Sequence, residues 1–289
     1  MGIGMPLQRF NMNYANTLLL ILLTGFFHTG LAEIPQISGT EITAEQNETW
    51  NNLLKEYYFA DITITESDQL FDFTLPYRAE DGALVPIKIT AKKPQTKEHF
   101  IKSLWIIIDK NPKPLVGTFQ FSPLNGKADL AMRIRVDAYS PVRVIAATND
   151  EQYYMVSHYV KSSGGCSAPA STDAATALAR LGKIRFKIPA IRSFGKPVQT
   201  RLAISHPNTS GLQKDQVTTL FIPPHYVSKI DVLFEGESIF SAETDISISE
   251  NPNFKFYFVP TKSGVLTTVV TDTKGNKFTQ SKKLEVSTN

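Results

Sequence analysis

The chain has 289 residues, of which 42% are hydrophobic, and a formal net charge of +3. This composition allows sizeable cores, and the small, dispersed charge argues against nucleic-acid binding, which usually needs a patch of Lys and Arg that follows phosphates. The one cysteine, Cys166, excludes an intrachain disulfide and the cysteine-based zinc patterns.

Residues 1–32 have the features of a secretory signal peptide. Arg9 is the only charged residue before an apolar run at 17–27, and Gly30 and Ala32 are small residues that suit a cleavage site. The run is too short to cross a bilayer as a helix, which takes about 20 residues. The pattern predicts cleavage after Ala32 and export from the cytoplasm.

A short amphipathic helix is predicted in the segment 33–60. Thr43 and Gln46 have the spacing of a capping box, and Trp50, Leu54 and Tyr57 recur at helical intervals. We expect a helix over about 44–58 that packs as a lid on the domain behind it.

The chain then changes to short runs rich in β-branched and aromatic residues, separated by turn signals. The eight runs lie at 62–65, 71–75, 84–90, 103–109, 115–121, 130–136, 142–148 and 152–160. Many short strands without intervening helices are typical of an antiparallel β-sandwich. The sequence therefore predicts one such domain over 61–163.

The β pattern stops at 164–182, where 171–181 is rich in alanine. A cap at Ser171 or Thr172 and a stop at Gly182 predict a brief helix inside a linker. Seven further β runs make a second sandwich over 183–289. They lie at 184–188, 198–205, 226–234, 238–242, 254–259, 265–271 and 277–286. The predicted fold class is all-β, with two β-sandwich domains joined by a linker that contains a short helix.

The cysteine lies in the stretch VKSSGGCSAPA. Free cysteines are often inert core residues, but no large apolar residue lies within four positions of Cys166. We therefore expect an exposed thiol, on a backbone that Gly164 and Gly165 make flexible. Lys161 and His158 are the nearest activating groups in sequence, five and eight positions away, so the thiol is expected to carry a group rather than to catalyse.

The histidines give no sign of a metal or cofactor site. Those at 99, 158, 206 and 225 have neither i, i+4 pairing nor an HExxH motif. His206 is expected to fix its loop through a hydrogen bond, with contact to a partner protein as the alternative.

Several stretches resemble a known pair of proteins. AEDGALVPIKIT (79–90), NPKPLVGTFQFS (111–122), MRIRVDAYSPVRVIA (132–146) and the GGC at 164–166 resemble SoxY. The stretch from His206 to Gly275, with SHP near its start and TDTKG at its end, resembles SoxZ. The chain resembles the fused SoxYZ-like carriers associated with quinoprotein dehydrogenases.

This resemblance implies two immunoglobulin-like sandwiches and a carrier function in the bacterial periplasm. Sulfur intermediates would be attached covalently to Cys166, with Gly164 and Gly165 as the flexible part of the arm. The implied partners are a c-type cytochrome, a quinoprotein dehydrogenase or Sox-type enzymes, and no catalytic residue is implied.

The chain departs from the family pattern in two ways. The family's Gly-Gly-Cys-Gly-Gly arm ends the chain, whereas here the chain continues through Ser167 into the linker, and the last two glycines are replaced. An arm tied at both ends sweeps less space. On this interpretation Gly165→Val should impair loading without lowering the melting temperature.

Two alternatives to the carrier remain open from the sequence. One is an accessory module that binds a dehydrogenase or cytochrome and has an incidental thiol. The other is a thiol enzyme, which the lack of a nearby base disfavours.

Overall fold

The computed structural model describes Met1 and residues 42–171 and 173–285. The predicted signal peptide lies outside these residues, apart from Met1. Across the described ranges, every helix is too short or too polar to span a membrane.

Helices are few and short. They are α1 (Ala44–Thr49), a π-helical turn (Trp50–Leu54), α2 (Lys55–Phe59), a 3-10 turn (Pro123–Asn125) and α3 (Ala174–Ala179). The strands of the first half are β1 (Ile64–Glu66), β2 (Phe71–Thr74), β3 (Val85–Ala91), β4 (Ile101–Ile108), β5 (Leu115–Phe121), β6 (Leu130–Ile134), β7 (Ser140–Thr148) and β8 (Tyr153–Val160). Those of the second half are β9 (Ile184–Lys187), β10 (Val198–Ile204), β11 (Val227–Phe234), β12 (Glu237–Thr244), β13 (Asn253–Phe258), β14 (Gly264–Asp272) and β15 (Lys277–Leu284).

The strands form two sheets that face each other. Each half of the chain forms a sandwich that has strands in both sheets. The nine-stranded sheet has the order β1-β8-β7-β4-β5-β12-β11-β14-β15, and the six-stranded sheet has the order β2-β3-β6-β13-β10-β9. The predicted all-β class, with a short helix between two sandwiches, is confirmed. One pair differs from the antiparallel prediction, because β1 runs parallel to β8.

The two sandwiches join edge to edge. Strand β5 pairs with β12 over five residue pairs, from Phe121↔Phe240 to Gly117↔Thr244, and Ala131 of β6 pairs with Lys255 of β13. Phe119 of the first half also packs on Phe240, with ring centroids 6.4 Å apart. The pairing covers strand edges that would otherwise expose unpaired backbone groups, so one hydrophobic core runs through both halves.

The N-terminal helix covers the outer face of the nine-stranded sheet, as the sequence predicts. Its buried residues Trp50, Leu54 and Phe59 pack against residues of β4, β7 and β8. The prediction of Tyr57 on the apolar face is wrong, because this side chain is 75% exposed. The π-helical turn adds a residue to the helical repeat, which moves Phe59 to the buried side.

A buried ion pair fixes this helix to the sheet. Arg143 of β7 donates from Nη2 to Asp109 Oδ2 at 2.7 Å, and both side chains are at most 1% exposed. The same guanidinium donates to Asn47 Oδ1 at 2.8 Å and lies 4.9 Å from the ring centre of Trp50. It therefore links α1 and the π-helical turn to the core.

Replacing Arg143 by methionine is expected to lower the free energy of unfolding by about 3–5 kcal/mol, because Asp109 is left as a buried charge without its partner. Urea unfolding followed by circular dichroism measures the loss. Arg143→Met combined with Asp109→Leu should recover most of it, and Arg192→Met at an exposed position should change stability by less than about 0.5 kcal/mol. If Arg143→Met lowered the free energy of unfolding by less than about 1 kcal/mol, the buried ion pair would not stabilise the fold as we expect.

Candidate functional site

Cys166 lies in a segment, residues 163–171, that crosses from β8 toward α3; we call it the cysteine segment. The expectation of an exposed thiol is wrong: Cys166 is 0% exposed. Ser167, which follows it, and Gly164, two positions before it, are exposed, whereas Gly165 is buried. The burial comes from loops far away in sequence, and Cys166 is the only residue of the segment with a buried side chain.

The first half holds the segment through its backbone. Gly164 N–H donates to Asp137 O at 2.9 Å, and Gly165 N–H donates to Val136 O at 3.0 Å. Cys166 N–H donates to Asp137 Oδ1 at 3.0 Å. The two glycines that the sequence predicts to be flexible are thus docked against the residues that follow β6.

The second half holds the same segment from the other side. Ser210 Oγ donates to Cys166 O, and Gln213 Nε2 donates to Ala168 O at 2.7 Å. Ser171 N–H donates to Glu250 Oε2 at 2.9 Å. The cysteine segment therefore bridges the two halves at their junction.

Only glycine fits at position 165. A Cβ atom added there would lie 2.1 Å from Gly82 O and 2.6 Å from Val136 O, well inside van der Waals contact. The sequence-based expectation that Gly165→Val leaves stability unchanged is therefore wrong, because the segment is packed at this point.

Arg135 is a buried cation at the centre of the site. Its side chain is 1% exposed and donates to three carbonyls, at 3.1 Å to Gly165 O, at 3.2 Å to Asn208 O and at 3.4 Å to Ile248 O. Burial lowers its pKa, and no carboxylate of the described residues lies within ion-pair distance of it. Arg135 ties the cysteine segment to the loop after β10.

The surroundings of the thiol favour its protonated form. Burial raises the pKa of Cys166 to about 12; the charge of Asp137 adds to the rise, and Arg135 and the Ser247 hydroxyl oppose it. Lys161 and His158, the sequence candidates, lie elsewhere. Lys161 sits over the ring of Tyr77, and His158 contacts Asp72. These surroundings therefore hold the docked thiol in its neutral form.

A second polar cluster supports the loop that covers the thiol. His206 and His225 both direct Nε2 at Asp272 Oδ2, at 3.5 and 2.8 Å. Burial lowers the pKa of His206 to about 4. Burial also opposes ionisation of Asp272, but hydrogen bonds from Asn276, His225 and the Lys274 amide hold its pKa at about 2. The neutral His206 ring thus faces an ionised carboxylate.

The hydrogen bonding of His206 fits a structural role. Its Nδ1 accepts the Asn208 amide at 3.1 Å, which places the ring proton on Nε2. A metal ligand at Nε2 would need that position free of a proton, so this tautomer does not suit a metal. The predicted loop-fixing hydrogen bond is confirmed, and at 1% exposure His206 cannot contact a partner directly.

Sequence reasoning missed Arg135, Asp137 and Ser247 as neighbours of the thiol, and Asp272 as a neighbour of the histidines. The only available signal was their presence in the stretches that resemble SoxY and SoxZ, since no local spacing connects them.

Two family models match the chain in succession. "SoxY: Sulfur oxidation protein SoxY" matches residues 55–166, and "SoxZ: Sulphur oxidation protein SoxZ" matches residues 184–283. The first match ends at the cysteine, and α3 lies between the two. No match was found among curated proteins.

Solved structures resemble parts of the chain. The sulfur carrier protein SoxY from Chlorobium limicola f thiosulfatophilum is 21% identical, covers 42% of this chain and 95% of its own, and has a TM-score of 0.33. The T24K superoxide reductase (neelaredoxin) from Ignicoccus hospitalis is 12% identical, with 32% and 79% coverage and a TM-score of 0.30. Because the two consecutive family matches include both strand sets and the cysteine, the chain is a fused SoxYZ-like protein, with a SoxY part followed by a SoxZ part.

Proposed function

We propose that this protein carries an S-linked sulfur intermediate on Cys166 in the bacterial periplasm and presents it to redox partners. SoxY and SoxZ are families of sulfur-oxidation carriers, and the single cysteine occupies the last position of the SoxY match. That placement is the observation that carries the proposal. The protein acts as a carrier, and its partner enzymes supply the catalysis.

The carrier cycle requires the cysteine segment to leave its docked position, because a sealed thiol can neither be loaded nor be presented. Only one side chain of the segment is buried, so undocking exposes little apolar surface and costs far less than global unfolding. Gly164 and Gly165 then give the released backbone its freedom. The nine residues of the segment span at most about 30 Å when fully extended.

Loading is an oxidative conjugation. A sulfur–sulfur bond forms between Cys166 Sγ and the terminal sulfur of an anionic sulfur species. The thiol proton passes to water, and two electrons pass to a redox partner such as a c-type cytochrome. The released thiol, with a pKa closer to its ordinary value, supplies the thiolate that this step needs.

Intact-mass spectrometry of the protein purified from its host's periplasm tests the proposal. We expect a fraction of molecules to have added mass on Cys166 that a reductant removes and that Cys166→Ser abolishes. If the native protein has no such mass under sulfur-oxidising growth, the carrier function is wrong.

The burial of Cys166 favours a second candidate, an accessory module with an incidental thiol. This protein would bind a quinoprotein dehydrogenase or a cytochrome and would never load the cysteine. The host would then grow normally with Cys166→Ser and fail to grow only when the whole chain is deleted.

A further inference from the structure

We infer that the outer face of the six-stranded sheet is a docking surface for an acidic face of a partner protein. We call this surface the basic face; it consists of the outward side chains of β3, β6, β13, β10 and β9. The inference rests on the proposed function, because it gives the chemistry of the partner that receives the cargo.

The outward positions of these five strands hold six basic residues and no carboxylate. Inward positions alternate with them and fill the core. On the sixth strand, the edge strand β2, the outward Asp72 contacts His158. The basic residues are Lys88, Arg133, Lys255, Arg201, Arg185 and Lys187, and all six are exposed. With a net charge of only +3 for the whole chain, this is a marked segregation of charge.

The strand register places several of these charges in one row. Lys88 and Lys255 both pair with Ala131, Lys255 pairs with Arg201, and Arg201 pairs with Lys187. Neighbouring strands lie about 4.8 Å apart, so three like charges stand directly opposite one another. Such pairs destabilise a sheet, and the fold itself gains nothing from them.

No carboxylate of the described residues forms an ion pair with this row. The nearest carboxylate along β6 is Asp129, which accepts the Ala91 amide at 3.0 Å. An ordinary solvated strand looks different: on β11, Lys229 lies 3.5 Å from Asp231. The basic face therefore has unsatisfied positive charge that a complementary surface would neutralise.

The basic face ends beside the cysteine segment. A cleft of about 270 Å³ is lined by Arg133 and Arg185 of the face, by Arg180 after α3, and by Ala170 of the segment. The one carboxylate in its lining, Glu250, accepts the Ser171 amide at 2.9 Å. Ala170 is four positions from Cys166. A protein bound on the basic face would therefore touch the segment that has to undock.

The extent of the face favours a protein over other anions. Five strands span about 20 Å, which is more than a small oxoanion can cover. Single-stranded nucleic acid usually stacks on several aromatic rings, and Tyr257 is the only aromatic residue at the outward positions of these strands.

Site-specific photo-crosslinking in the host tests this inference with the full chain. A photoreactive residue replaces exposed Gln199 on the basic face or, as a control, exposed Gln280 on the nine-stranded sheet. We expect Gln199 alone to crosslink a protein with an acidic surface. Lys255→Glu with Arg201→Glu should reduce the yield at least tenfold.

A matched double variant controls for net charge. Lys102→Glu with Lys282→Glu changes two exposed lysines of the nine-stranded sheet and should leave the yield unchanged. Circular dichroism and melting temperature check that both variants fold. Three outcomes would overturn the inference. They are a yield at Gln199 no higher than at the Gln280 control, a crosslink to nucleic acid, and a yield that does not change when the charges at Lys255 and Arg201 are reversed. The inference is also wrong if no protein crosslinks while sulfate or thiosulfate causes saturable shifts of the backbone amide signals of the basic face in nuclear magnetic resonance spectra.

Adduct mass on Cys166, measured in the same preparations, separates this inference from the proposed function. If the unmodified chain carries the adduct but Gln199 captures no partner, the docking surface is wrong and the carrier stands. If Gln199 captures an acidic partner but Cys166 never carries mass, the carrier is wrong and the docking surface stands.

Discussion

Replacing Gly165 by alanine is expected to release the cysteine segment and to raise the alkylation rate of Cys166 by roughly 30- to 100-fold. The added Cβ would collide with Gly82 O at 2.1 Å. Destabilising the docked state by about 2–2.8 kcal/mol raises the ratio of undocked to docked molecules by that factor. The rate is measured with iodoacetamide at pH 8 on folded protein. Because undocking relieves the clash, most of the core should remain folded.

Gly164→Ala is the matched control for this experiment. A Cβ at position 164 meets only Ser167 Oγ, at 4.0 Å, although the φ of +71° makes any side chain there mildly strained. Its alkylation rate should rise by less than about tenfold, the factor that corresponds to 1.4 kcal/mol. Equal rates for the two variants would show that packing at Gly165 does not hold the segment.

The buried thiol is expected to make stability fall with pH above about 9. The pKa of Cys166 rises from 9.0 in the unfolded chain to about 12 in the folded one, so between these values the folded state holds a proton that the unfolded state has lost. This contribution is fully present below pH 9 and disappears as the pH rises toward 12. The slope is about 1.4 kcal/mol per pH unit.

Cys166→Ser isolates this effect from the titration of lysines and tyrosines. Between pH 9 and 10.5, the free energy of unfolding of the unmodified protein should fall by about 2 kcal/mol more than that of Cys166→Ser. Urea unfolding at several pH values measures the difference. Parallel curves would mean that the thiol is solvated in the folded protein.

The local pattern of the sequence was sufficient to predict the strands and the sandwich class. In β3, for instance, the residues of VPIKITA alternate between the core and solvent, and side chains alternate in this way along any strand. Such a pattern shows which side chains face inward. It does not show which edge strands pair, and so the joining of β5 to β12 could not be predicted.

The site was harder to predict for a related reason. The neighbours of Cys166 in sequence are small and polar, and from them an exposed thiol is the natural expectation. Its cover comes from Asp137, Arg135 and Ser247, which lie 29, 31 and 81 positions away. Burial by distant loops leaves no trace in a local window. The same limit hid the meeting of His206 with Asp272.

The pairing of β5 with β12 and of β6 with β13 has a consequence for the gene product as a whole. If the SoxY part and the SoxZ part were made as separate chains, they would have to associate in equal amounts. Until they did, the edge strands of each part would expose unpaired backbone groups. Covalent fusion fixes the stoichiometry at one to one and gives the second half an effective concentration in the millimolar range. Assembly of the junction over the cysteine therefore does not depend on protein concentration.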